Sequence, residues 1–181
     1  MALELYPASA ADLPAAVALV NSAYRGDASR AGWTTEADLL GGQRTDVDTL
    51  RAQVLGETRA LLLAAADGLL VGCVYLERES PCDAYLGMLT IQPTMQSRGF
   101  GKEILEGAER FVRDTWGATS LRMTVIAQRY ELIAWYERRG YVQTGEREPF
   151  PYDDARFGLP KRDDLYMVVL RKSLLDMQPL E

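Results

Sequence analysis

Apolar positions recur along the chain in two rhythms. Alternation at a period of two, or a short unbroken apolar run between turn residues, marks seven strand-like segments: residues 2–6, 60–66, 69–77, 85–91, 120–127, 141–145 and 165–171. A period of about 3.6 residues marks helices. One carries Leu13, Val17, Val20 and Tyr24 behind a Ser9 or Asp12 cap. The clearest places Ile104, Leu105, Ala108, Phe111 and Val112 on one face of residues 102–115, with Gly117 as its stop. Shorter helices are predicted at 34–40 (capped by Thr34 or Thr35, ended by Gly41 and Gly42), from Asp46 or Asp48 through Val54, and at 130–139 before Gly140. Asp67 and Gly68 join the second and third strands as a tight hairpin. The order predicts an antiparallel meander ending at Ile91, then a strand–helix–strand crossover that adds a parallel neighbour. The expected fold is therefore α/β, with a mixed sheet of about seven strands. Residues 146–164, rich in Pro, Gly, Asp and aromatics, form a loop longer than the about 12–15 residues usual without a function.

Composition narrows the chemistry. At 181 residues, 48% apolar and 25% charged, the chain suits one globular domain. Its expected bounds are residues 1–172, with a tail at 173–181. No apolar run approaches the about 20 residues of a membrane span, and the first residues lack a basic leader, so the expected location is the cytoplasm with no membrane partner. Cys73 and Cys82 have no metal spacing and read as free thiols. The net charge of −6 disfavours nucleic acid; it suits a cationic amine, or solubility alone. The chain has no histidine. That excludes Ser-His-Asp and Cys-His nucleophiles and most zinc sites, and leaves proton transfer to carboxylates, Tyr, Lys, Cys or water; no metal is expected.

Between the strand closed by Pro93 and the helix opened by Lys102 lies Gln96-Ser97-Arg98-Gly99-Phe100-Gly101. A glycine turn feeding a helix start leaves backbone N–H groups unpaired at the positive end of the helix dipole, which favours phosphate. A P-loop would need Gly at Gln96 and Ser or Thr at Glu103, and a dinucleotide fingerprint would need Gly at Ile104; both fail. The remaining Gln-x-x-Gly-x-Gly resembles the pyrophosphate loop of the GCN5-related N-acetyltransferases (the GNAT family), which bind acetyl-CoA. A second stretch, Ile133-Ala134-Trp135-Tyr136-Glu137-Arg138-Arg139-Gly140-Tyr141, resembles that family's other signature, a helix with Tyr four residues before Gly and an aromatic. The resemblance spans roughly residues 1–172.

What the resemblance implies is a mostly antiparallel sheet flanked by helices on both faces, its fourth and fifth strands splayed, and direct transfer of acetyl to a bound primary amine. Leu89, Thr90 and Ile91 at a bulge, together with Gln96, Ser97, Arg98, Gly99, Phe100, Gly101 and Lys102, are the expected coenzyme contacts. Arg129 stands where the family often has Asn, and either pairs with coenzyme phosphates or lies on the surface. Tyr136, with a reference pKa of about 10 against about 8.5 for a thiol, is the candidate acid for the leaving sulfur, or else a core aromatic. Glu77 is the candidate base, with Tyr85 acting through water as a weaker one; Glu77 could equally be a solvated carboxylate with no role. Trp33, Thr34, Arg44, Tyr85 and Tyr152 are acceptor-side candidates; Trp33 could equally pack under the sheet. The expected partner is a small amine, amino-acid-like or polyamine-like, and the protein a monomer or homodimer. A coenzyme A-binding sensor without catalysis and a protein acetyltransferase are the alternatives.

Overall fold

The computed structural model describes residues 2–54 and 56–177. In chain order its elements are β1 (Leu3–Pro7), α1 (Leu13–Tyr24), β2 (Leu40–Gly41), α2 (Val47–Val54), β3 (Arg59–Ala66), β4 (Leu69–Arg78), β5 (Asp83–Ile91), α3 (Phe100–Trp116), β6 (Ser120–Ile126), α4 (Tyr130–Glu137), β7 (Val142–Pro149), β8 (Leu159–Pro160) and β9 (Tyr166–Ser173). Seven strands form one sheet in the order β1-β3-β4-β5-β6-β9-β7, and within it β5 and β6 alone run parallel. Period-two alternation gives the sheet two apolar faces. Leu62, Val74, Leu76 and Leu86 pack with Ile104, Leu105, Ala108 and Val112 of α3. Leu61, Leu63, Cys73 and Tyr75 face the other way, onto Leu13, Ala16 and Val20 of α1 and Leu50 of α2. The predicted mixed sheet with helices on both faces is what forms.

Two local features interrupt the regular pairing of the sheet. β5 and β6 pair through Asp83–Ser120, Ala84–Leu121 and Tyr85–Arg122, and beyond Tyr85 they part. On its other side β5 pairs Gly87 with Tyr75 and Thr90 with Cys73, so Met88 and Leu89 together oppose Val74. That is a bulge, and Met88 sits at φ 49°, a left-handed conformation unusual for a side chain of its size.

The structure departs from the sequence-based expectation at two places. Residues 34–40 make no helix; the Glu36 carbonyl closes a single turn with the Leu40 N–H at 2.8 Å, and Leu40 and Gly41 then pair with Pro160 and Leu159 of β8. Residues 146–164 are not one open loop, because β7 continues to Pro149 and β8 ties the rest back to β2. Past residue 172, Leu174 is buried and the Met177 carbonyl accepts from Arg113 Nη1 at 3.1 Å. The final part of the expected tail, 178–181, lies outside the described residues. Among the described residues, no helix is long and apolar enough to cross a membrane.

Close packing at the bulge fixes a testable position. A Cβ on Gly72 would stand 2.6 Å from the Thr90 carbonyl oxygen and 2.5 Å from Ile104 Cδ1. The carbonyl belongs to the paired backbone and has no room to turn away. Gly72→Ala should therefore destabilise the protein by about 1–3 kcal/mol. Urea denaturation would check this, and an unshifted midpoint would contradict the packing described.

Candidate active site

The parting of β5 from β6 opens a cavity of about 440 Å³ bounded by the end of β5, the start of α3 and one face of α4. Leu89, Thr90 and Ile91 form its β5 wall. Gln96, Ser97, Gly99, Gly101 and Lys102 form its floor, and Leu132, Trp135 and Tyr136 its α4 wall. Phe100 is buried in the core beneath the turn, where it anchors the backbone; Arg98 is exposed and does not line the cavity.

The turn is built to present N–H groups. Ser97 and Gly99 take left-handed conformations, at φ 63° and 92°. Bonding into α3 begins only at Lys102 and Glu103, whose N–H groups donate to the Gly99 carbonyl at 3.0 and 3.2 Å. Among the described residues, the N–H groups of residues 97–101 donate to no acceptor in the chain. Five adjacent donors at the amino end of a 17-residue helix make a strong anion cradle. Gln96 has a different place from its neighbours. Its side chain accepts from the Trp33 N–H at 2.9 Å and donates to the Ile91 carbonyl at 3.3 Å, tying residues 32–33 to the turn. Gly32 permits this approach, since a Cβ there would stand 2.3 Å from Gln96 Oε1. Trp33 is not under the sheet; it is 40% exposed and lines this cavity with Thr34, on the side of the glycine turn.

Two phenols meet in the cavity. Tyr136 is 5% exposed, held edge-on by Trp135 and Tyr141, and its hydroxyl has no hydrogen-bond partner among the described residues. Burial, then the neighbouring Tyr24, raises its pKa well above the ordinary 10. The hydroxyl is therefore a proton carrier at any working pH, but a weaker acid than its reference value suggests. Tyr24 donates to the Leu89 carbonyl at 2.9 Å, on the bulge, and burial followed by the nearby Glu36 carboxylate pushes it to about 12. The sequence marked Tyr24 only as the last apolar position of α1. No motif singles it out.

On the far side of the parted strands lie two adjoining cavities of about 390 and 660 Å³, both lined by Arg44, Glu77, Tyr85 and Phe157. Glu77 accepts from Arg59 Nε at 3.2 Å and from the Tyr75 hydroxyl at 2.9 Å, so both of its oxygens are engaged. The Tyr85 hydroxyl lies 3.2 Å from Thr124 Oγ1, with the Arg122 guanidinium 5.1 Å from its ring centre. Tyr152 does not line these cavities: its hydroxyl accepts from the Leu165 N–H at 2.7 Å and its ring packs on Phe150, which lines the cavity in its stead.

Between the two sides runs a buried ion cluster that the sequence did not announce. Glu36 holds Arg25 through one oxygen and, at 2.9 Å through the other, Arg129. Burial alone would raise the Glu36 pKa, but the attraction of Arg129, Arg25 and Arg44 outweighs it and holds the carboxyl below its ordinary range. Arg129 also donates to Thr34 Oγ1 at 2.8 Å. It is thus neither on the surface nor free to face a phosphate with those two nitrogens, although its edge lines the first cavity. Arg44 lies 5.6 Å from the Tyr24 ring centre.

The chain is similar to known proteins in sequence pattern and in fold. The family described as "acetyltransferase (GNAT) domain" matches residues 35–150. No curated protein matches the chain by sequence. Among solved structures, the ribosomal-protein-S18-alanine N-acetyltransferase from Escherichia coli superposes with a TM-score of 0.69 at 16% identity, over 96% of this chain and 94% of its own. The yncA protein from Salmonella typhimurium, solved with its cofactor acetyl-CoA, gives 0.67 at 17% identity over 100% and 99%. A spermidine N-acetyltransferase SpeG chimera from Vibrio cholerae and hSSAT gives 0.68 at 15% over 95% of both chains. At these identities the likeness is one of fold.

The ion cluster carries its own prediction. Glu36→Gln leaves Arg25 and Arg129 buried without a counter-charge, and should cost about 3–5 kcal/mol in urea denaturation at pH 7. Because the folded pKa of Glu36 lies below its ordinary value of 4.5, its contribution is present above that value and fades as pH falls through the folded one. The gap between parent and variant should therefore narrow on acidification. A gap that widens would contradict the cluster's assigned charge state.

Proposed function

This chain belongs to the GNAT acetyltransferase family, and from that membership we propose that it transfers the acetyl group of acetyl-CoA to the primary amine of a small molecule. The observation that carries the reading is the row of unengaged N–H groups at residues 97–101, opening onto the cavity that also holds the unpartnered Tyr136 hydroxyl. Acetyl-CoA supplies the activated acyl group. The N–H groups of residues 97–101 grip its pyrophosphate, with Lys102 at the rim. The free edge of β5 at Leu89 orients the thioester between the parted strands. Between the parted strands, preorganised backbone donors stabilise charge on the thioester oxygen.

Tyr136 gives its proton to the departing sulfur. Its raised pKa makes transfer to an ordinary thiolate uphill, and the sulfur's own desolvation in the same cavity offsets this, because burial raises both acids. The amine approaches from the side lined by Glu77 and Tyr85. Glu77, shared between Arg59 and Tyr75, acts there as a fixed charge that orients Tyr75, and the amine loses its proton to water.

Tyr136→Phe should lower kcat by about 10²–10⁴-fold, the usual range for a general acid, with the Kd for acetyl-CoA little changed. Thiol release from acetyl-CoA measures the first and calorimetric titration the second; an undiminished kcat removes Tyr136 as the acid. The buried phenol also predicts that kcat shows no alkaline decline below about pH 10. A falling limb between pH 8 and 10 would mean that the donor ionises more readily than its surroundings allow.

A further inference from the structure

We propose that the acceptor amine also carries an anionic group, a carboxylate or phosphonate, and that Arg44 is its anchor. The inference rests on the acetyl-transfer reading above and decides between amino-acid-like and polyamine-like acceptors. It comes from the charge pairing around the two acceptor-side cavities. Each carboxylate there already has an arginine: Glu36 has Arg25 and Arg129, Glu77 has Arg59, Glu79 and Glu148 share Arg122, and Asp48 has Arg51. Arg44 is different. It lines both cavities and, among the described residues, its guanidinium makes no hydrogen bond or ion pair.

The position is held from two sides. The Arg44 N–H donates to Asn21 Oδ1 at 2.7 Å, which fixes the backbone, and the guanidinium lies within cation–π range of the Tyr24 ring. With Arg25 and Arg129 close by, three guanidinium groups act on the single carboxylate of Glu36, so the spot is locally cationic although the chain carries a net −6. A half-buried, already oriented guanidinium suits two-point recognition of a carboxylate or phosphonate and repels a second ammonium. The acidic pair Asp153 and Asp154 does not offset this: neither lines the cavities, and Asp154 is engaged by Arg156. The hydroxyl of the same Tyr24 ring is bonded to Leu89, on the transfer side. One aromatic residue thus touches both the anchor and the bulge.

The test is thiol release from acetyl-CoA with amines paired to differ only in the anion: 4-aminobutyrate against butylamine, lysine against cadaverine, 2-aminoethylphosphonate against ethylamine. Spermidine and a peptide with a free amino terminus complete the set. The anionic member should have the higher kcat/KM by at least about tenfold, mostly through KM, as expected for a charge-assisted contact. The carboxylate and phosphonate arms show which anion fits. Arg44→Met should bring the ratio towards one, and Arg44→Lys should keep part of it. Acetyl-CoA titration of each variant separates loss of the anchor from loss of the fold, and the parent's own ratio decides even if Arg44→Met does not fold. Spermidine, cadaverine or the peptide accepted as well as the acids would overturn the anchor while leaving acetyl transfer intact. Acetyl-CoA binding without turnover of any amine would overturn the acetyl-transfer reading, and this inference with it.

Discussion

β5 and β6 share three register pairs and then separate, and the site exists because of that separation. A buried strand edge left without partners costs about 1–3 kcal/mol for each stranded group, so the fold must offset the gap. It does so in two ways. The bulge at Met88 and Leu89 turns the backbone away from regular pairing with β4, and the Tyr24 hydroxyl takes up the Leu89 carbonyl. What remains unpaired faces a cavity rather than apolar packing. The sheet is thus stable where β3, β4 and the first half of β5 lie between two apolar layers, and open to a ligand-sized cavity where the strands part.

Around this gap the charged groups divide the labour differently. At the glycine turn the positive potential comes from backbone dipoles at the start of α3, which need no counter-ions and no side-chain ordering. On the far side of the parted strands it comes from guanidinium groups, most of them tied to carboxylates. The Arg25–Glu36–Arg129 cluster adds little net stability for its burial, since removing two ions from water offsets most of their attraction. Its contribution is placement. It pins residues 34–36, which have no helix or strand of their own, against α4 and the end of α1.

This division also explains what could be read from the sequence. The strands, α1, α3 and α4 follow from local periodicity, and Gly99, Gly101 and Tyr136 stand at spacings that a short motif captures. The glycine turn is legible because its chemistry is backbone chemistry and needs only glycine in the right order. Residues 34–40 have the caps and composition of a helix and form none, because Glu36 is drawn to Arg25 and Arg129, 11 and 93 positions away. No periodicity encodes such a pair. Tyr152 and Glu77 were legible as residue types but not as partners: Tyr152 closes a loop through Leu165, and Glu77 is engaged by Arg59 across the hairpin. Tyr24 and Arg44 gain their significance from where α1 ends relative to the bulge, which is a tertiary fact.

The amide of Gln96 bears on how such a protein can diverge. It braces the stretch around Trp33 against the glycine turn, and the group it holds there is the main-chain N–H of Trp33, not the indole. The side chain at position 33 can change without loosening the brace, so this wall of the cavity can take new shapes while the glycine turn stays still. Divergence at this wall then proceeds by exchanging side chains on a fixed backbone.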